Sequence, residues 1–265
     1  MPLSPARLLS AMLALWAFLP GAFAQTLDIQ PTSVEIPAEP GMRHRQVLSI
    51  TNMSADETRS LTIGLADWTL TGSGQLSLSP PGEADRSAAS WARFTPGFLS
   101  LEPGQSGNVI LDMIVPAKPD HGGDYRFALM ASEVSPGPDG QMRKIEASSL
   151  FYLTIAPAVS DPAITDVRMA SPTRLDIEVS NAGNAHARLD GEVRIEAASG
   201  ETTSLPISNL VVLETSDRTF TLPLAEGVAE GARVTVTLDN VFAPQSGTGV
   251  EALRTWSGPL EAPAG

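Results

Sequence analysis

The chain has 265 residues, no cysteine and a formal net charge of −13 at pH 7. Without cysteine it can form no disulfide and carry out no thiol chemistry, and its acidic balance argues against nucleic acid, which binds mainly through Lys and Arg. The 22 glycines and 22 prolines, together with few helical patterns, favour an all-β chain that is rich in turns.

Residues 1–24 have the pattern of a secretory signal peptide. Arg7 precedes an apolar core at residues 8–19, and Ala22-Phe23-Ala24 forms a small-residue cleavage signal. We therefore predict cleavage before Gln25 and export to the periplasm, with a signal anchor as the alternative. No later apolar run approaches the roughly 20 residues of a membrane span, so no integral span is expected.

Residues 25–158 predict an immunoglobulin-like β-sandwich of about seven strands. The strand pattern at 26–36 breaks at Pro31, which indicates an edge strand or a switch between sheets. After a predicted turn at 37–45, further strands are expected at the ranges 47–52 and 61–68, with a short one at 76–78.

The segment 90–133 contains the strongest strand signals of this half. Leu-Glu-Pro-Gly-Gln at 101–105 predicts a tight turn, because Pro presets φ and Gly tolerates a positive φ. The alternation at 108–115 predicts an almost fully buried strand, and the next strand is expected at 125–131. A turn at 134–141 then leads into a long alternating run, 142–155, that closes the first domain.

Residues 159–260 predict a second immunoglobulin-like β-sandwich after a short linker at 159–162. Its strands are expected at the ranges 163–169, 174–179, 189–197, 210–213, 219–224 and 232–238. An apolar patch at Leu253 and Trp256 favours a closing strand. The chain is therefore interpreted as two tandem sandwiches after a cleaved signal peptide, and an internal duplication is only suggested.

The sequence contains no pattern of a catalytic, cofactor or metal site. His44, His121 and His186 fall in three separate predicted turns without metal-ligand spacing, and we expect them to be surface histidines. Asp120, Asp124 and Asp139 could ligate calcium in predicted loops, but none has the spacing of a calcium loop. The nucleophile elbow, the Walker A lysine and the dinucleotide-binding glycines are also missing. We therefore expect a protein without cofactor or catalysis.

Four short motifs in the first half resemble the N-terminal domain of periplasmic pilus and fimbrial assembly chaperones. They are Ser-Ile-Thr-Asn at 49–52, Trp68, Phe-Leu-Ser-Leu-Glu-Pro-Gly-Gln at 98–105 and Tyr-Arg-Phe-Ala-Leu at 125–129. The resemblance covers residues 25–157. It implies that the last strand of the first domain is lent to an exported pilin-like or surface subunit, with an outer-membrane usher as a further partner.

On this resemblance the lending strand lies at 145–155. The residues that it implies for subunit binding are Arg143, Lys144, Ile145, Ala147, Phe151 and Leu153. The alternative is that the same face packs into the core of its own domain. We favour the core for 151–155, and both interpretations stay open for Ile145 and Ala147.

The chain departs from the family at the anchor for the subunit's terminal carboxylate. The family uses an Arg on its first strand and a Lys on its lending strand, whereas this chain has Thr-Ser-Val at 32–34 and Leu-Phe-Tyr-Leu at 150–153. No anchor is therefore transferred to this sequence. The second hypothesis is a non-catalytic structural or adhesive surface module of the same fold. A glycan-binding accessory domain is a weaker third, because few aromatic residues are available for stacking.

Overall fold

The computed structural model describes residues 26–137, 139–225, 232–242 and 253–260, and the predicted signal peptide lies outside them. The described chain is all-β, as the sequence predicts, and contains a single turn of 3-10 helix, Ala89–Trp91. It forms two sandwich domains in tandem. The described residues contain no helix that could serve as a membrane span.

The strands of the first domain follow in chain order. They are β1 (Leu27–Gln30), β2 (Ser33–Ala38), β3 (Arg43–Asn52), β4 (Arg59–Leu70), β5 (Leu76–Ser79), β6 (Ala92–Thr95), β7 (Phe98–Leu101), β8 (Ser106–Ile114), β9 (Gly123–Pro136) and β10 (Met142–Ile155). One sheet has the order β1-β3-β8-β6, and the facing sheet has the order β2-β10-β9-β4-β5 with β7 beside β4. Inward side chains from both sheets form one core, including Leu48, Ile50, Leu61, Leu111, Phe127, Leu129, Phe151 and Leu153.

The chain switches sheets at Pro31, which confirms the prediction made for this break. Before Pro31, β1 pairs antiparallel with β3, and after it β2 pairs parallel with β10. Proline donates no backbone hydrogen bond, so it suits the point at which one ladder ends and another begins. The switch also determines how much of the edge of β10 is paired with β2.

The predicted strand over 108–115 is correct in position but not in burial. Val109, Leu111 and Met113 are fully buried, whereas Ile114 on the alternate face is exposed and Asp112 forms an ion pair with Arg45. Sheet β1-β3-β8-β6 thus has only one covered face, as antiparallel sheets often do. Likewise β3 begins at Arg43, so the turn predicted for 37–45 occupies only 39–42.

The Gly- and Pro-rich connection after β5 is ordered by Asp67, a fully buried carboxylate on β4. Its Oδ2 accepts hydrogen bonds from the backbone N–H groups of Gly82 and Ala84, at 2.9 and 2.8 Å. The Ser87 hydroxyl donates to Oδ1 at 2.5 Å. The same loop is bonded to β9, since the N–H of Arg126 donates to the Arg86 carbonyl and the N–H of Ala88 donates to the Arg126 carbonyl.

Asn52, at the end of β3, is fully buried and holds two turns together. Its amide donates to the carbonyls of Glu57 and Leu101 at 2.8 and 3.0 Å, and its Oδ1 accepts from the backbone N–H of Ser54. The backbone N–H of Gly104 donates to the Asn52 carbonyl. The Pro-Gly turn identified in the sequence is thus bonded directly to the end of β3.

We expect Asn52→Ala to lower the free energy of unfolding by about 1–3 kcal/mol, because buried backbone groups lose their partners. Chemical denaturation monitored by circular dichroism measures the change. Asn108→Ala is the matched control, since Asn108 is exposed on β8 and should change stability by less than about 0.5 kcal/mol. Equal effects of the two variants would contradict the role assigned to Asn52.

The strands of the second domain follow after Ile155. They are β11 (Pro162–Ser171), β12 (Arg174–Asn181), β13 (Ala187–Glu196), β14 (Thr202–Val212), β15 (Ser216–Pro223), β16 (Arg233–Asn240) and β17 (Leu253–Pro259). One sheet has the order β11-β12-β15 and the other β14-β13-β16-β17. The core between them includes Leu175, Ile177, Leu189, Val193, Val212, Val234, Val236 and Leu238. The predicted domain boundary at 158 falls between β10 and β11 and stays a prediction.

Candidate functional site

One half of β10 has an unpaired edge. On one side, β9 pairs with the whole of β10, from Met142 to Ile155. On the other side, β2 pairs only from Leu150 onward, because the chain leaves the first sheet at Pro31. In the described part of the chain no strand pairs with this side of β10 between Met142 and Ser148. We call this stretch the open edge.

The direction of the backbone groups at the open edge follows from the pairing with β2. The N–H of Leu150 donates to the carbonyl of Thr32, so it points toward the β2 side. Alternate residues of a strand direct their N–H and C=O groups to the same side. Lys144, Glu146 and Ser148 therefore present their backbone groups to the open edge.

The two cations implied by the family resemblance lie on exposed parts of β10. Arg143 forms an ion pair with Asp139 at 3.2 Å, and Lys144 with Glu146 at 2.5 Å. These charged side chains are in water, where such ion pairs contribute at most about 1 kcal/mol. Neither cation lies at a buried anchor.

The four apolar residues implied for binding differ in burial. Phe151 and Leu153 are fully buried in the core of the first domain, and Phe151 stacks on Phe127 with ring centroids 4.6 Å apart. This placement agrees with the core interpretation favoured for 151–155, and it leaves a partner no surface there. Ala147 is buried and Ile145 is half-buried at the rim of the same core, beside the open edge.

Two exposed apolar side chains extend the site onto the neighbouring face of the β9–β10 hairpin. Val134 is 60% exposed and Met142 is 65% exposed. In the register of the hairpin, Val134 lies opposite Lys144 and Met142 opposite Pro136, so the two apolar side chains are diagonal neighbours on one face. The open edge therefore combines backbone groups that no strand of the described residues pairs with and accessible apolar surface.

At the other end of β9, a buried set of charged groups joins the two domains. The Nδ1 of His186 lies 2.6 Å from the Oδ2 of Asp124, and both side chains are fully buried. The Nε2 of His186 lies 3.7 Å from the Oε1 of Glu35 on β2. Arg188 on β13 donates through Nε to the same Glu35 oxygen at 2.7 Å.

Backbone contacts beside this set bring the domains unusually close. The N–H of Asp124 donates to the carbonyl of Asn184 at 2.9 Å. Gly123 has φ +97°, and a Cβ atom there would lie 2.2 Å from the same carbonyl oxygen. Only glycine fits this position, both for its backbone conformation and for its space.

The pKa values of these groups follow from burial and from the opposite charges. Burial opposes the charged form of His186, but the carboxylates of Asp124 and Glu35 outweigh it and hold the imidazole pKa above its ordinary value. The contact with His186, aided by Arg188, lowers the pKa of Glu35 against the effect of burial. Burial raises the pKa of the neighbouring Tyr152 phenol to about 12.

A second buried ion pair lies nearby. Arg126 on β9 pairs with Glu214, which follows β14, and Arg86 lies 3.6 Å from the other Glu214 oxygen. The Arg126 guanidinium lies 5.4 Å from the centroid of the Trp68 ring. These side chains line a cavity of about 300 Å³ together with Thr69, Ser79, Ala84 and Asp85.

Apolar contacts complete the domain junction. Trp68, Tyr152, Ala128 and Met130 of the first domain pack against Val211 and Leu213 of the second. Trp68 meets Tyr152 edge to face at 4.9 Å, and its indole N–H donates to the carbonyl of Phe127 at 3.0 Å. Trp68 is therefore buried where the two domains meet.

The expectation of three surface histidines is wrong for His186 and partly for His44. His186 is fully buried at the junction, and His44 lies in β3 rather than in a turn. His121 does lie in a loop, where it stacks on Tyr125. The sequence signal for His186 was its position between Ala185 and Ala187, two small residues that are also fully buried. Among the described residues, no group of three or more His, Asp or Glu side chains is placed to hold a metal ion.

No protein-family model matches the sequence, and no curated protein matches it. Solved structures of fimbrial chaperones do match. The class 5 fimbriae chaperone CfaA is 14% identical, with 87% of this chain and 98% of that chain covered and a TM-score of 0.44. The Pseudomonas aeruginosa CupB2 chaperone is 12% identical, with 88% and 100% covered and a TM-score of 0.43. The E. coli chaperone DraB is 11% identical, with 89% and 96% covered and a TM-score of 0.41.

Proposed function

We propose that the chain is a non-catalytic, periplasmic chaperone-like protein that binds an exported pilus or surface subunit by β-strand addition. The observation that carries the proposal is the open edge of β10, from Met142 to Ser148, which no strand covers in the described part of the chain. An extended segment placed there gains a ladder of main-chain hydrogen bonds. The sequence resemblance to pilus chaperones independently points to the same strand.

The chemistry of the open edge fits a selective partner rather than indiscriminate aggregation. Edge strands that must not aggregate commonly carry charged side chains, and here Arg143, Lys144 and Glu146 supply them. Charges of this kind disfavour pairing with a second flat apolar edge. A partner must therefore supply apolar groups that match the remaining surface.

The side chains beside the open edge define that apolar match. A strand added next to β10 would place its alternate side chains beside Ile145 and Ala147 on the core face of the sheet. On the opposite face it would lie beside Met142, which is exposed at the start of β10. The partner we expect is an exported subunit with a strand-like segment whose apolar residues recur at every second position.

The second candidate is a structural or adhesive surface module that uses the same fold without strand addition. The observation that favours it is that Ala147 and Ile145 already pack against the core of their own domain. The two functions differ in one physical respect. Only strand addition requires the backbone N–H groups on the open edge.

We expect Glu146→Pro to abolish or weaken partner binding by about tenfold or more, because it removes one edge N–H and blocks a neighbouring strand sterically. The Glu146 N–H points away from β9, so the pairing with β9 should persist. Tagged protein isolated from the periplasm of its own bacterium, with bound proteins identified by mass spectrometry, provides the measurement.

Glu146→Ala is the matched control, since it removes the exposed ion pair with Lys144 but keeps the N–H. It should retain the partner. Amide hydrogen exchange of the complex provides a direct readout, with protection expected at Lys144, Glu146 and Ser148. Equal partner recovery by Glu146→Pro and wild type, with no new protection at these amides, would favour the structural module. Genes for an usher and pilin-like proteins beside this gene would favour the chaperone.

A further inference from the structure

We propose that His186 is a pH-dependent link between the two domains: its doubly protonated imidazolium connects Asp124 and Glu35, and loss of the Nε2 proton loosens the junction. The inference goes beyond subunit binding, because it concerns how the second domain is held against the first. It rests on the placement of one fully buried imidazole between two carboxylates of the other domain.

The contact with Asp124 keeps one proton of the His186 ring on Nδ1. The Oδ2 of Asp124 lies 2.6 Å from Nδ1 and accepts the His186 backbone N–H at the same distance. The Oδ1 of Asp124 accepts the hydroxyl of Thr154 at 2.7 Å. A carboxylate surrounded by donors acts as the acceptor, so Nδ1 carries a hydrogen in either charge state of the ring.

The surroundings of Nε2 determine whether the His186 ring is neutral or positively charged. This nitrogen is buried and makes no hydrogen bond among the described contacts, and the Oε1 of Glu35 lies 3.7 Å from it. In the neutral ring an Nε2 lone pair would face a carboxylate. In the imidazolium an N–H faces it instead, so the charge distribution of the site favours the cation.

The residues on the other elements packed against the His186 ring are consistent with a charged ring. Besides Glu35 on β2 and Asp124 on β9, the ring meets Tyr152 on β10, whose centroid lies 4.5 Å away. Phe242, after β16, stacks on the other side at 4.0 Å. Arg188 on β13 is bonded to Glu35. With His186 charged, two cations balance two carboxylates, whereas the neutral ring leaves one buried negative charge in excess.

The direction of the pH effect follows from linkage. The pKa of His186 is raised above 6.5 in the folded protein, chiefly through Asp124 and Glu35 against the opposing effect of burial. The stabilisation is therefore complete below about pH 6.5 and is lost as the pH rises through the folded-state pKa. The junction should be firm in mildly acidic medium and weaker in alkaline medium.

The first experiment follows the histidine ring signals by NMR from about pH 5 to about pH 9, a range that covers histidine titration. The chain contains only 3 histidines, so the ring signals of His186 can be assigned by substitution of single histidines. We expect His186 to titrate above the ordinary histidine value of about 6.5, and the amides of Asp124 and His186 to lose exchange protection over that same pH interval. If His186 titrates at or below about pH 6.5, or remains neutral throughout, the proposal is wrong.

The second experiment uses Glu35→Gln, which keeps the size of the side chain and removes the charge facing Nε2. The titration of His186 should shift downward by about one pH unit or more. The difference in thermal midpoint between acidic and alkaline buffer should also shrink. His44→Gln is the matched control for histidine removal and should keep the pH dependence of wild type, whereas His186→Gln should lose it. An unchanged His186 titration in Glu35→Gln would overturn the proposal even if His186→Gln does not fold.

Discussion

Phe127→Ala should lower the free energy of unfolding of the first domain by about 3–5 kcal/mol, the range for removal of a buried aromatic side chain. Phe127 is fully buried in β9, and its ring stacks on Phe151 with an interplanar angle of 9°. The strand lies between β4 and β10, so the surrounding backbone is hydrogen-bonded on both sides and cannot collapse easily into the cavity. Denaturant unfolding monitored by tryptophan fluorescence measures the loss.

Phe98→Ala is the matched control for this core substitution. Phe98 is 56% exposed at the start of β7, so its removal should change stability by less than about 1 kcal/mol. The expected contrast between the two phenylalanines depends only on burial, since the chemical change is identical. Comparable losses for both variants would contradict the assignment of Phe127 to the core.

Much of the first domain was predictable because its strands alternate strongly. The run Met142–Ile155 was predicted as one strand and is observed as one. The turn before β8 was also predictable, since Gly104 adopts φ +72° as a Pro-Gly turn requires. Local pattern and turn chemistry agree at these positions, so neither depends on distant parts of the chain.

The local sequence pattern could not show which face of each strand is covered by another part of the protein. Ala128 and Met130 of β9 occupy positions that alternation assigns to the outer face, yet both are buried against the second domain. The half-exposed face of β8, in contrast, was predicted to be buried because Ile110 and Ile114 are apolar. Alternation identifies two faces of a strand, but only the tertiary arrangement determines which of them is covered.

The sequence pointed to the strand that carries the open edge, but not to the extent of that edge. The resemblance to pilus chaperones pointed to β10, whereas the boundary of the open edge depends on where β2 begins to pair, at Leu150. That register results from the switch of sheets at Pro31, more than 100 residues earlier in the sequence. The contact between His186 and Asp124 is similarly non-local, and no spacing within either segment reveals it.

One structural device recurs in both domains. Asn52 ends β3 and Asn181 ends β12, and both side chains are buried. Asn181 donates to the carbonyls of Ala185 and Leu213 and accepts the backbone N–H of Gly183, as Asn52 does with its own neighbouring turns. Both strands therefore end in the same way, an observation that accords with the internal duplication suggested from the sequence.

Glu214→Ala should lower the free energy of unfolding by about 3–5 kcal/mol, because it leaves the buried charge of Arg126 without its partner. The side chains of Arg126 and Glu214 are only 10% and 5% exposed, and the pair joins β9 to the second domain. Arg86 lies 3.6 Å from the same carboxylate, so two guanidinium groups would lose their counter-charge at once. Thermal and denaturant unfolding both measure the effect.

The matched control is Asp112→Ala, which breaks the ion pair with Arg45 on the exposed face of the first domain. Since both of these side chains are largely in water, the loss should be small compared with that of Glu214→Ala. A second test replaces the buried pair by apolar residues, as Arg126→Met with Glu214→Leu, and should recover much of the stability lost by Glu214→Ala. If the double variant were as unstable as Glu214→Ala, the loss would arise from packing at the junction rather than from an unpaired charge. If Glu214→Ala were as mild as Asp112→Ala, water would reach Arg126 at the junction and the ion pair would not hold the domains together.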